Sequence, residues 1–169
     1  MKRTLYLSVA LLLLGVVTVI AQDNKAKRPS PPAVAEATID GVKVRIDYSQ
    51  PSARGRKMLG GNEPFGKVWR TGANETTTID ISGDIKVEGK ALAKGKYGLF
   101  TIPGEKEWVI IINKEIAWGA YSYNEKGDVL RVTVPAGKTD KFVETFEISI
   151  VGKEVVLQWE NTRVAFKLQ

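Results

Sequence analysis

The residues best suited to chemistry lie in a long stretch, residues 54–78, which is rich in Gly, Arg, Asn and aromatic side chains and has no clean strand pattern. Within it, Trp69 and Arg70 are followed closely by Asn74 and Glu75. An indole offers a flat apolar face with one hydrogen-bond donor, and the polar side chains offer directional hydrogen bonds. This combination is typical of a sugar or small polar ligand site. The alternative is structural: Trp69 closes the end of the fold and Arg70 binds backbone carbonyls.

Basic side chains at the start of the same stretch are a second candidate. Arg54, Arg56 and Lys57 follow a predicted strand, and an arginine fork can hold a carboxylate, sulfate or phosphate with two hydrogen bonds. The alternative is a set of solvated charges, or an arginine packed over an aromatic ring. Glycines in the stretch permit tight turns or a nest of N–H groups for an anion.

An aromatic-rich segment later in the chain is the third candidate. Trp118 and Tyr121 are separated by an odd number of residues, so they do not share one side of a strand, and Gly119 indicates a bulge or a close approach. The segment is either a stacking patch for a ligand or the aromatic cover of an edge strand. Trp108 and Trp159, in contrast, lie in apolar strand patterns and are predicted to be core. The candidate ligand-binding residues are therefore Arg56, Trp69, Arg70, Asn74, Glu75, Trp118 and Tyr121.

The composition excludes several classes of catalysis. The chain has no His and no Cys, so triads with His, thiolate nucleophiles and His- or Cys-based metal sites are impossible. Any catalysis would use carboxylates, yet a glycosidase needs two at a defined separation, and no spacing selects a pair. We assign no catalytic residue, no metal ligand and no cofactor; the acids considered are Glu63, Glu75, Asp80 and Glu144.

The first residues have the layout of a secretory signal peptide. A basic start precedes the uncharged run Leu5–Ile20, and Val19 and Ala21 suit cleavage after Ala21. The alternative is a membrane anchor, but this run is shorter than the span of about 20 residues that a bilayer requires. We therefore predict a periplasmic or extracellular protein with no stable membrane span after cleavage.

Removal of the signal lowers the formal charge from +6 to +4, with both signs interspersed. Such a balance favours solubility over nucleic-acid binding. The remaining 148 residues suit a single domain. The predicted organisation is a signal peptide at 1–21, a polar, proline-rich and flexible leader at 22–32, and a single β-sandwich domain at 33–169.

Short alternating runs separated by turn residues predict the fold. Asp40-Gly41 between two such runs indicates a tight hairpin, and no window has a sustained helical pattern. Pro135 and Gly137 are predicted to end one strand, and Asn161-Thr162 to form a turn between two others. About ten short strands predict an all-β fold, an antiparallel, jelly-roll-like β-sandwich, with a β-barrel as the alternative.

Several blocks of sequence resemble a known family. They are DYSQP at 47–51, GRK at 55–57, PFGKVWRTGAN at 64–74, YGLFTIP at 97–103 and WGAY at 118–121. The chain is similar, from about residue 31 to its end, to a family of secreted bacterial proteins catalogued only as a domain of unknown function. The resemblance implies export and one β-rich domain, and it implies no catalytic residue.

Three functions remain open from the sequence. The first is a non-catalytic domain that binds a glycan or small polar ligand at Trp69–Thr76. The second is an envelope structural or partner-binding protein in which the long stretch caps the core. The third is a carboxylate-dependent hydrolase.

Overall fold

The structure is a computed structural model that describes residues 24–116 and 118–169. The predicted signal peptide lies outside the described residues. The described chain is built from β-strands and three single-turn 3-10 helices, Lys25–Lys27, Ala120–Ser122 and Glu125–Gly127. The strands are β1 (Pro32–Ile39), β2 (Val42–Ser49), β3 (Thr78–Ile81), β4 (Ile85–Val87), β5 (Lys90–Leu92), β6 (Gly95–Ile102), β7 (Glu107–Asn113), β8 (Asp128–Val151) and β9 (Glu154–Lys167). The prediction of an all-β fold is confirmed.

Seven strands form one antiparallel sheet in the order β1-β2-β3-β6-β7-β8-β9, and β4 and β5 form a separate two-stranded sheet. The predicted hairpin turn is confirmed, because Asp40 and Gly41 both have positive φ and Ile39 pairs with Val42. The large sheet curls so that β2 comes next to the second half of β8. At this seam the hydroxyl of Tyr48 on β2 donates to the carbonyl of Ile148 on β8 at 3.2 Å and accepts from the Ile148 N–H at 3.0 Å. The result is a sandwich-like or barrel-like shell.

The two longest strands differ from the prediction. β8 continues through Pro135 and Gly137, and β9 continues through Asn161-Thr162, so the predicted strand ends there are wrong. Pro135 is tolerated because it lies where β8 changes partner: it pairs with β7, whereas the next residue pairs with β9. A proline at this point interrupts neither ladder in its middle. The extra residues are absorbed by register shifts between β8 and β9.

The core lies inside the curled sheet and is rich in aromatic side chains. The indoles of Trp69 and Trp159 stack with centroids 5.5 Å apart, and the rings of Trp108 and Phe146 meet Trp69 edge-on. Trp108 and Trp159 are buried, as predicted. Burial of large rings contributes the largest share of apolar area in a core of this kind.

A smaller cluster covers the opposite, outer face of the sheet. Phe100 on β6 and Ile111 on β7 are cross-strand partners and fully buried, yet they lie outside the main core. The connection between β7 and β8, residues 114–127, crosses this face, and the ring of Tyr123 lies 5.1 Å from that of Phe100. This β7–β8 connection therefore has a core of its own beneath it.

Among the described residues, no helix has the length and apolar character needed to cross a bilayer.

Candidate functional site

Trp69 is part of the core. It pairs with Thr101 on β6 through backbone hydrogen bonds of 2.7 and 2.9 Å, and this register turns its ring inward. The side chain is 2% exposed, and its indole N–H donates to the carbonyl of Gly72 at 3.0 Å. The prediction that Trp69 offers its face to a ligand is corrected by this burial, because both faces and the only donor are already used.

Arg70 lies on the other side of the same segment. Because successive residues of an extended chain point to opposite faces, Arg70 faces outward and stands opposite Phe100, one position along from the Trp69–Thr101 pair. Phe100 pairs with Ile111, and Ile111 pairs with Arg131. Four residues thus follow one another across neighbouring strands on the outer face. Arg70 and Arg131 flank the apolar side chains of Phe100 and Ile111. The alternative interpretation, in which Arg70 binds backbone carbonyls, is wrong, because the guanidinium makes no hydrogen bond to a carbonyl of the described residues.

Asn74 and Glu75 are used to hold the leader. The Asn74 amide donates to the carbonyl of Ser30 at 2.9 Å. The Glu75 carboxylate accepts two hydrogen bonds of 2.9 Å from Arg28 and lies 3.1 Å from the ammonium of Lys25. The hydrogen bond from Arg28 is the main reason that the pKa of Glu75 falls to about 2. Both side chains therefore act as docking points for residues 25–30.

Arg56 stabilises the backbone. Its Nε donates to the carbonyl of Ala53 at 3.0 Å and its Nη2 to that of Ser52 at 2.9 Å. Nearby, the N–H groups of Met58 and Leu59 form a nest of the kind that binds anions. The carboxylate of Glu160 fills it with two hydrogen bonds of 2.8 Å. The groups of this region that could bind an anion are thus largely occupied by partners from the same chain.

Trp118 and Tyr121 are the exposed aromatic residues of the predicted set. Trp118 is 68% exposed and Tyr121 is 96% exposed. They lie on a bend and a 3-10 helix rather than on an edge strand. The stacking-patch interpretation agrees with this exposure, whereas the edge-strand interpretation is wrong.

Gly119 brings this aromatic pair to Arg70. Its φ of +71° suits glycine, and its N–H donates to the hydroxyl of Thr76 at 3.1 Å. A Cβ at this position would lie 3.9 Å from Nη1 of Arg70. This is an ordinary van der Waals distance, so the positive φ and not a close approach requires glycine here. We name Arg70, Trp118, Gly119 and Tyr121 the candidate surface.

A polar network that the sequence did not indicate holds the far end of the β7–β8 connection. The Tyr123 hydroxyl donates to Asp128 at 2.6 Å and accepts from Arg131 at 2.6 Å, and Asn113 donates to Asp128 at 2.7 Å. Burial, followed by the hydrogen bond to Asp128, raises the pKa of Tyr123 to about 12. The spacing of Asp128 and Arg131 at the start of a strand was the available signal. The network fixes the segment that carries the candidate surface.

The four acidic side chains considered in the sequence lie in different environments. Glu75 binds the leader, and Glu144 is turned outward by a bulge and accepts from the N–H of Arg54 at 2.6 Å. Burial raises the pKa of Glu63, and the charge of Arg70 opposes that rise. Asp80 is exposed on β3. Within residues 24–116 and 118–169, no cluster of three or more acidic side chains is arranged to hold a metal ion.

Comparison with known proteins identifies the family. A model described as "protein of unknown function (DUF2911)" matches residues 30–168. No curated protein and no solved structure matches the chain. Because the family match spans most of the sequence, this chain belongs to DUF2911, which confirms its resemblance to an uncharacterised family.

Proposed function

We propose that this protein is a non-catalytic binding domain that holds a glycan on the candidate surface. The observation that carries the proposal is the exposure of Trp118 and Tyr121, 68% and 96%, on either side of the glycine that lies over Arg70. Large aromatic side chains exposed together are typical of interaction sites on a folded protein. The site proposed from the sequence thus moves from the Trp69 ring to Arg70, on the outer side of the same loop, and to the β7–β8 connection beside it.

The chemistry of the surface suits a sugar ring. The apolar C–H face of a pyranose can stack on an indole or phenol, while its hydroxyl groups accept from a guanidinium. Trp118 and Tyr121 would supply the rings, and Arg70 the donors. Surfaces of this kind gain specificity from a few fixed polar groups beside an apolar contact.

The surface is also anchored. The N–H of Gly119 is bonded to the buried Thr76, and Tyr123 is bonded to Asp128 and Arg131. Fixing the segment before binding reduces the conformational entropy that is lost on association. Export, which the sequence predicts, would place such a surface among envelope or extracellular polysaccharides.

Glycan-array screening followed by titration of tryptophan fluorescence tests the proposal. Of the four tryptophans, Trp69, Trp108 and Trp159 are buried, so a fluorescence change on binding reports Trp118. We expect at least one glycan to bind, and we expect Trp118→Ala and Tyr121→Ala to weaken that binding about tenfold or more, because each removes a stacking contact. Isothermal titration calorimetry measures the variants, because Trp118→Ala lacks the fluorescent reporter.

Phe142→Ala is the matched control. Phe142 is another aromatic side chain, 51% exposed, on β8 and outside the candidate surface. It should leave glycan binding unchanged. Absence of any bound glycan, or an equal loss in all three variants, would overturn the proposal. Capture of an envelope protein that is lost in Trp118→Ala, without glycan binding, would assign the surface to a protein partner instead.

A further inference from the structure

Arg70 is unlike every other arginine in the described part of the chain. The others are held by a carboxylate or by backbone carbonyls. The carboxylate-bound ones are Arg28, Arg45, Arg131 and Arg163, and the carbonyl-bound ones are Arg54 and Arg56. The guanidinium of Arg70 has no hydrogen bond and no salt bridge to any described residue, and its Nε is buried without a partner.

This lack of partners has a cost. A buried donor without an acceptor loses hydration that is not replaced, which destabilises the folded chain. Glu63 interacts with Arg70 through its charge, but it makes no salt bridge or hydrogen bond with the guanidinium. The two Nη groups likewise have no hydrogen-bond partner among the described residues, and a ligand that arrives from outside would supply one.

The position of the guanidinium makes it accessible to the same ligand as the aromatic pair. Its Nη1 lies just beneath Gly119, between Trp118 and Tyr121 in the chain. The buried Nε excludes approach from the side, so a ligand would meet the two Nη atoms at the end of the fork. The planar end of a guanidinium binds the two oxygens of a carboxylate in bidentate fashion.

We infer that the glycan is acidic, and that Arg70 binds the carboxylate of a uronic acid while Trp118 or Tyr121 stacks on its ring. The inference rests on the proposed function and adds the chemical class of the ligand. A charge-assisted bidentate contact is stronger than a neutral one. Arg70 therefore gives the preference for acidic over neutral sugars. The aromatic residues stack on both kinds of sugar and contribute to the affinity for each.

The sharpest test changes the ligand and leaves the protein intact. A galacturonic-acid oligosaccharide is titrated against its methyl-esterified form, which keeps the sugar rings and removes the negative charge. The full mature chain should bind the acid about tenfold or more tightly than the ester, as expected for one charge-assisted hydrogen-bonded pair. Because this comparison needs no variant, it does not depend on how a substitution affects folding.

Variants then assign the preference to Arg70. Arg70→Gln should bind the acid and the ester equally, whereas Trp118→Ala should weaken both. Arg45→Gln is the matched control: it removes the same charge from an exposed arginine that is paired with Asp47 and Glu36, and it should keep the preference. A sulfated oligosaccharide distinguishes the planar carboxylate from anions in general, and we expect weaker binding of the sulfate.

The outcomes separate the two proposals. Equal binding of acid and ester by the unmodified chain, or a preference that survives Arg70→Gln, overturns the role of Arg70 and leaves glycan binding in place. Tighter binding of the sulfated sugar overturns the choice of carboxylate. No binding of any of these sugars, together with an empty glycan array, overturns the proposed function itself.

Discussion

The loop between β2 and β3, residues 50–77, and the β7–β8 connection, residues 114–127, both carry aromatic and polar side chains, but they use them in opposite ways. In the β2–β3 loop, Trp69 is buried in the core, and polar groups such as Arg56 and Asn74 bind the chain's own backbone and leader, with Arg70 as the exception. In the β7–β8 connection, Trp118 and Tyr121 are exposed, while a polar network holds the far end of the segment. Similar composition thus serves the fold in one region and a surface in the other.

The difference arises from pairing rather than from residue type. Trp69 lies in a backbone ladder with Thr101 that fixes which side of the chain faces the core. Among the described residues, those around Gly119 lie in no such ladder, and the hydrogen bond from the Gly119 N–H to a threonine hydroxyl helps to position them. An aromatic residue is therefore evidence for a site only when its register is known.

The largest effect that the comparison predicts is the loss of the Trp69 ring. Trp69→Ala should lower the free energy of unfolding by about 3–5 kcal/mol, because it leaves a cavity among stacked rings. Urea denaturation measures the change, with Phe142→Ala as the exposed aromatic control. A loss in Trp69→Ala no greater than in the control would show that the ring is not part of the core.

The next effect concerns the anchor of the β2–β3 loop. Glu160→Ala should lower the free energy of unfolding by about 1–3 kcal/mol, since it strips two hydrogen bonds from the N–H groups of the buried Met58 and Leu59. Glu154→Ala, on the same strand with an exposed and long contact to Arg163 of 3.8 Å, should change it by less than about 0.5 kcal/mol. Equal effects of the two substitutions on urea denaturation would contradict the role of Glu160.

Local signals in the sequence predicted much of the fold. The Asp40-Gly41 turn is dictated by backbone sterics, and Trp108 and Trp159 follow from strand alternation. The strand end predicted at Pro135 was wrong, because a proline is compatible with a strand that changes its pairing partner at that point. Such a change depends on distant strands, so no local pattern reports it.

The site was harder to predict for the same reason. Arg70 and Arg56 have the same side chain, but their environments differ. The carbonyls of residues 52 and 53 lie within hydrogen-bonding distance of Arg56. The contact between Gly119 and Thr76 joins residues that are far apart in the chain. The sequence shows which residue types are present but not which of them lie close together in the fold.

A smaller effect on stability should appear at low pH, because Glu75 holds the leader through its charge. Its folded pKa of about 2 lies below the ordinary value of 4.5, so its stabilising contribution is complete above pH 4.5 and is lost as the pH falls toward 2. The side chain is 40% exposed, which limits the contribution to less than about 1 kcal/mol.

Thermal denaturation across this range, in the unmodified chain and in Glu75→Gln, measures that contribution. The difference in Tm between the two should shrink as the pH is lowered. Hydrogen exchange should show faster exchange of residues 25–30 in the variant at neutral pH. A difference in Tm that is constant, or that grows in acid, would mean that Glu75 does not hold the leader through its charge.

The smallest effect on stability should come from the candidate surface, where the contrast with Trp69 is greatest. Trp118→Ala should change the free energy of unfolding by less than about 0.5 kcal/mol, because the ring contributes little buried area. The same substitution should remove most of the quenching of tryptophan fluorescence by acrylamide, a neutral quencher that reaches exposed indoles and is not attracted by Arg70. Trp69→Phe, a variant that keeps an aromatic ring in the core, should leave the quenching almost unchanged. If Trp118→Ala instead destabilises the protein as much as a core substitution does, or if acrylamide still quenches that variant strongly, the indole of Trp118 is packed in solution and the surface proposed for the glycan does not exist.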